Sequence, residues 1–142
     1  MVISLSLAST HLLLGLESGQ MLIVLLEDLI AAIELNGKGE ELTLPCLQPV
    51  KAHHDEIIEM KWSKNNLVWA TGAKDGRCCL WELRRGEPHL LSTLTVNGKP
   101  QKGRKRKHHY SCTYICWNCT YSHFAAGFQE NIEDEDNDRG RG

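Results

Sequence analysis

No lysine or arginine precedes Lys38. That absence removes the positive n-region of a secretory leader, and serines interrupt the apolar residues of the opening Met-Val-Ile-Ser-Leu-Ser-Leu-Ala-Ser-Thr. The first sixteen residues carry no charge, yet they are too short and too polar to span a bilayer. No Gly-rich phosphate loop, catalytic carboxylate pair or nucleophile elbow occurs, so nothing here points to an enzyme. A long stretch of helical period is missing as well. What remains is ordinary globular composition: 142 residues, 42% hydrophobic and 24% charged, enough for one domain with a modest core. The six cysteines, without any sign of secretion, imply free thiols in a protein of the nucleus or cytoplasm.

The chain is written as short apolar runs divided by turn signals. Ile3 to Leu7 alternates as a half-buried strand does. His11 to Leu16 and Met21 to Leu26 follow, split by Glu17-Ser18-Gly19-Gln20. In the middle, Ile57 to Trp62, Leu67 to Thr71, Cys78 to Leu83 and His89 to Val96 predict four strands, with turns at Asn65-Asn66 and Asp75-Gly76 and a close at Asn97-Gly98. Asp75-Gly76 suits a tight type I′ turn, which needs positive φ at both central residues. Leu22 to Leu35 is ambiguous, because its apolar residues and Ala31-Ala32 suit a helix as well as the strand pattern around it.

Internal repetition organises these runs. Trp62 and Trp117 lie 55 residues apart, and the same offset sets His53 on His108, Gly72 on Gly127, Asp75 on Glu130 and Gly76 on Asn131. Gly15 and Gly19 stand 57 residues before Gly72 and Gly76, with Val24 against Trp81. Three copies of one unit result, and only the middle copy is complete.

That copy contains Ala52-His53-His54-Asp55, Met60-Lys61-Trp62-Ser63, Ala70-Thr71-Gly72, Lys74-Asp75-Gly76 and Leu80-Trp81-Glu82-Leu83. It resembles the WD-repeat family, whose units open near Gly-His and end near Trp-Asp. Ala52 and Glu82 depart from that pattern. The resemblance is strong over Ile57 to Leu83 and weaker in the flanking copies. It implies an all-β fold of antiparallel four-stranded β-propeller blades, about two and a half of them, hence an incomplete propeller. It also implies a structural hydrogen-bond network in which Trp81 donates to Thr71, Thr71 bonds His53, and His53 bonds Asp75. Such a buried polar chain is tolerable only when every member is paired. A hydroxyl, a histidine and an aspartate could instead form a hydrolytic triad. Thr71 falls mid-strand rather than on an elbow, which favours the structural role.

The implied organisation is a degenerate blade with an inserted loop over 1–50, a well-formed blade over 51–98, a basic inter-blade loop over 99–109, a partial blade over 110–132 and a disordered acidic tail over 133–142. Leu14, Ser18 and Val24 occupy the network positions in the first copy, and Ala126 and Glu130 in the third. Propellers usually have about four to eight blades. The expectation is therefore a truncated isoform, partial gene model or excised piece that needs further blades from a longer chain.

Two clusters suggest other chemistry. Lys102, Arg104, Lys105, Arg106 and Lys107 form a cationic loop that would serve as a nuclear signal or a phosphate contact. No aromatics interleave with them to stack bases, which weakens a nucleic-acid reading. His108, His109, Cys112, Cys116, Cys119 and His123 could supply zinc ligands, but they lack paired Cys-x-x-Cys spacing, and Cys112 falls on an expected strand. Cys78 and Cys79, adjacent on a strand, should point to opposite faces. The function expected is a non-catalytic protein-interaction scaffold without cofactor or resident metal. Its alternatives are a nuclear nucleic-acid or chromatin-associated module using 99–107, and a zinc module using 108–123.

Overall fold

Period-two alternation with β-branched and aromatic residues produces ten strands among the described residues, and one apolar segment breaks the pattern to become a helix. A computed structural model describes residues 1–5, 10–36, 41, 43, 48–64, 67–96, 108–118 and 123–132. The basic run 99–107 and the acidic tail 133–142 lie outside them. The first sheet contains β1 (Val2–Leu5), β2 (His11–Gly15), β3 (Gln20–Leu25) and β4 (Val50–Lys51), in that order. The second contains β5 (Ile57–Trp62), β6 (Val68–Ala73), β7 (Arg77–Arg84) and β8 (Glu87–Thr95). The third pairs β9 (His108–Trp117) with β10 (Phe124–Ile132). All pairing is antiparallel. The fold class is all-β: two four-stranded blades and half of a third.

Register shows that the three sheets are copies of one unit. Each β1–β2 pair, from Val2↔Gly15 to Leu5↔Leu12, recurs 57 residues later in β5–β6, from Glu59↔Gly72 to Trp62↔Trp69. Each β2–β3 pair recurs likewise in β6–β7. Adding 55 carries Trp62↔Trp69 onto Trp117↔Phe124 and Ile57↔Ala73 onto Cys112↔Phe128. Even the bulge opposite the end of β6 reappears opposite β10. Because a slip of one residue would turn every core side chain outward, shared register means shared packing.

The blades stack face to face. Leu13, Met21 and Ile23 of the first meet Ile57, Met60, Trp69, Ala73 and Trp81 of the second in one buried cluster. On the opposite face of the second blade, Ala70 and Cys78 meet Cys112 and Ile115 of the third. Cys78 and Cys79 thus belong to different clusters, as alternation on a strand requires.

Three sequence expectations need correction, and the third copy departs from the other two. First, the strand read over Met21 to Leu26 ends at Leu25, and the helix that 22–35 left open forms as α1 (Leu26–Asn36). Glu27 and Asp28 in its first turn complement the helix dipole, and Ala31-Ala32 favour helix. Among the described residues, the fourth strand of that blade pairs at Gln20↔Lys51 and Met21↔Val50 alone. Second, the Asp75-Gly76 turn is not type I′: Gly76 has φ +77°, but Arg85 is the one described non-glycine residue with positive φ. Lys74-Asp75-Gly76 is a three-residue loop closed by Gly76 N–H donating to Ala73 O at 3.2 Å. The two-residue turn with both φ positive is Arg85-Gly86, at 51° and 79°. Third, His108 and His109 begin β9 and do not belong to the basic loop. In the third copy, β10 runs straight through Glu130 and Asn131, where the other copies turn. Neither residue is the glycine that turn uses.

Candidate functional site

The middle blade brings His53, Thr71, Asp75 and Trp81 together from four separate stretches. Thr71 lies on β6 and Trp81 on the neighbouring β7. Asp75 occupies the loop joining them, and His53 the segment between β4 and β5. That segment is gripped by the preceding blade: Ala52 and His53 N–H both donate to Gly19 O, at 3.1 and 3.0 Å. Trp81 Nε1 donates to Thr71 Oγ1 at 3.0 Å. His53 Nε2 stands 2.7 Å from the same oxygen, and its Nδ1 lies 3.0 and 3.2 Å from the Asp75 carboxylate oxygens. Asp75 also accepts from His54 N–H and Arg77 N–H, each at 3.0 Å. No buried side-chain polar atom among the described residues lacks a partner.

Burial alone would lower the pKa of His53, but the Asp75 carboxylate and the Cys79 sulfur outweigh it and hold the imidazole up to about 9. Burial likewise favours the neutral acid of Asp75; the hydrogen bonds from His53, His54 and Arg77 reverse this and keep its carboxyl below the usual value. At neutral pH the two form an ion pair, with Nδ1–H donating to Asp75 and Nε2–H to Thr71. The Thr71 hydroxyl oxygen then accepts from both His53 and Trp81 while being 0% exposed. An imidazolium cannot take a proton from that hydroxyl, and no substrate reaches it. Geometrically this is a staple between a loop, a turn and two strands.

The first blade has Ser18 in place of Asp75, which retains one element of the arrangement: Gln20 N–H approaches Ser18 Oγ at 3.4 Å, as Arg77 N–H does Asp75. The other network positions there are Leu14 and Val24, both buried.

Two junction features escaped residue-type reasoning. Trp62 Nε1 donates to Ser4 O at 3.3 Å across the first junction, and Trp117 Nε1 to Lys61 O at 3.2 Å across the second. Donor and acceptor both repeat, so the spacing of the tryptophans carried the signal. Gly15 and Gly72 are crossing points: a Cβ on Gly15 would lie 2.7 Å from Ile57 Cγ2, and one on Gly72 2.5 Å from Cys112 Sγ.

Two of the cysteines in the zinc alternative, Cys112 and Cys116, are separated by the strand that holds them. Cys112 is buried against the second blade, whereas Cys116 is exposed on the other face of β9. The bulge and pleat between them aim the two thiols apart, so they cannot share an ion. Cys119 lies outside the described residues, as do the side chains of His108 and His109 and the whole basic cluster Lys102, Arg104, Lys105, Arg106 and Lys107.

No family model matches the chain. Among solved structures, it is similar to a chain in the crystal structure of the mitotic checkpoint complex, at 16% identity and a TM-score of 0.45. The alignment covers 88% of this chain and 43% of the other, so this chain spans less than half of that length.

Proposed function

We propose that the chain is a protein-interaction scaffold that performs no covalent chemistry. The observation carrying this reading is the edge strand β8. Leu90, Leu91 and Leu94 on it are 52%, 43% and 45% exposed. β8 pairs with β7 on one side, and no described strand pairs with the other. An edge strand with exposed apolar side chains accepts an added strand, the backbone giving affinity and the side-chain pockets specificity. The partner class is a protein with an extended apolar segment. The buried network supports the role by holding β6 and β7, and through β7 the edge, in place.

Proximity labelling in cells tests this by comparing the chain with a Leu90→Lys, Leu94→Lys variant. Loss of a defined set of labelled proteins, with an unchanged melting transition, is the expected result. An unchanged set overturns the reading. Nuclease-sensitive labelling lost on neutralising Arg104 to Lys107 would favour the nucleic-acid alternative instead.

A further inference from the structure

In the first blade β3 ends at Leu25 and β4 begins at Val50, whereas the second blade makes the same connection with Arg85-Gly86 alone. A blade does not need the longer connection, so α1, which opens it, is an addition to the repeat. Its start is pinned to the entry of β2, where Leu26 N–H donates to Thr10 O at 3.0 Å. Leu26, Leu29 and Ala32 are half-buried. The stripe Glu27, Ile30, Ala31 and Glu34, at i, i+3, i+4 and i+7, is exposed instead and walls an open groove of about 500 Å³ with Leu25 and Leu26. Leu25 pairs with His11, whose ring contacts Trp62 of the second blade. The groove therefore opens beside an internal junction and not on an end of the stack.

The groove is hydrocarbon along its middle, where Ile30 is 52% exposed. A carboxylate stands at each end: Glu27 and Glu34 are two turns apart, about 10 Å along the helix. Among the described residues neither makes an ion pair. No basic residue occupies the last turn of α1, and none precedes Lys38 in the chain.

We propose that this groove docks a basic amphipathic helix of a partner protein, one presenting two leucine-class side chains between a lysine or arginine on either side. The carboxylates decide the class of occupant. An acidic segment, or an anionic membrane surface, would meet like charge at both ends of the apolar floor. A partner helix has the same pitch as α1. Cations at its i and i+7 positions, with apolar residues at i+3 and i+4, therefore match Glu27, Glu34, Ile30 and Ala31 when the two helices lie side by side. This surface belongs to the first blade and is separate from the β8 edge of the second.

Fluorescence anisotropy with the whole chain and a labelled, alanine-based helical peptide of about 15 residues tests this. The peptide carries two central leucines and, on the same face, a lysine one turn to either side. Saturable binding is expected, and Ile30→Glu should abolish it with the melting transition retained. If Ile30→Glu disturbs the fold, Ala31→Lys replaces it. Glu27→Gln combined with Glu34→Gln should weaken binding about three- to tenfold, as should raising salt from about 0.05 to 0.5 M. The Leu90→Lys, Leu94→Lys variant should bind as the parent chain does, and a peptide with glutamates in place of its lysines should not bind. Absence of saturable binding, equal binding of the glutamate peptide, loss in the β8 variant, or indifference to the α1 variants would each overturn the proposal. A concentration-dependent dimer of the chain that Ile30→Glu dissolves would assign this face to a second copy and overturn it too.

Discussion

The first and second blades share their register at every β1–β2 and β2–β3 pair, yet only the second holds the His53–Asp75–Thr71–Trp81 network. Leu14 and Val24 fill the corresponding space in the first with hydrocarbon. Strand pairing is therefore specified by the alternation and the glycines, which both blades have. The network does something else. It ties the segment before β5 to the β6–β7 loop, and in the blade without it that outer region is built differently, with α1 and a two-residue β4. The third copy extends the comparison. Having Ala126 and Glu130 at the network positions and no glycine at Asn131, it continues β10 through the positions where the other copies turn.

The strongest way to break the comparison is at the turn glycines. Gly19, Gly76 and Gly86 have similar φ, at 83°, 77° and 79°, but different surroundings. A Cβ on Gly19 would overlap the His53 carbonyl oxygen, and one on Gly76 would lie 2.7 Å from Tyr110 O, while nothing lies within 4 Å at Gly86. Gly19→Ala should cost about 3–4 kcal/mol, combining backbone strain with a clash that cannot relax. Gly86→Ala should cost only about 1 kcal/mol from the left-handed conformation. Urea unfolding of the variants side by side measures the gap, and equal losses would show that φ alone matters.

A smaller effect is expected from Thr71→Val, which leaves the indole and imidazole donors buried and unpaired at about 2–3 kcal/mol. Adding Trp81→Phe should cost less than the sum of the two single changes, because one donor is then gone. Strict additivity in a double-mutant cycle would mean the network is not a unit.

The pair also makes stability depend on pH. His53 has a folded pKa of about 9 against an ordinary 6.5, so its contribution to stability is full below about pH 6.5 and disappears as pH rises through 9. Asp75, with its carboxyl held low, contributes above its ordinary value of 3.8 and loses that contribution as pH falls below it. Stability should therefore decline between about pH 6.5 and 9, and His53→Gln should flatten that limb. A decline that persists unchanged in His53→Gln would place its source elsewhere.

Much of the site was legible before any coordinates. The grouping of His53, Thr71, Asp75 and Trp81 was implied by the resemblance of the middle copy to the WD-repeat family; strand pattern and turn signals placed the elements that carry them. The type of turn was not legible. Asp-Gly fits both a two-residue loop and a three-residue loop, and only the backbone angles decide between them. The same holds for Arg85-Gly86, whose turn follows from strand lengths on either side. The exposed leucines of β8 look like any strand, because alternation cannot tell an edge from a centre.

The amino-acid sequence determined the repeat, the strands and their register, because these depend on local alternation, glycine placement and spacing that each copy carries within itself. Tertiary structure decided the rest. It turned 26–36 into a helix, because a short apolar run has no local mark separating helix from buried strand. It also put Cys112 and Cys116 on opposite faces, and brought Ile57 onto Gly15 and Cys112 onto Gly72. Those outcomes depend on which surfaces meet across blades, and such meetings involve residues about 40 positions apart in sequence that no local pattern links.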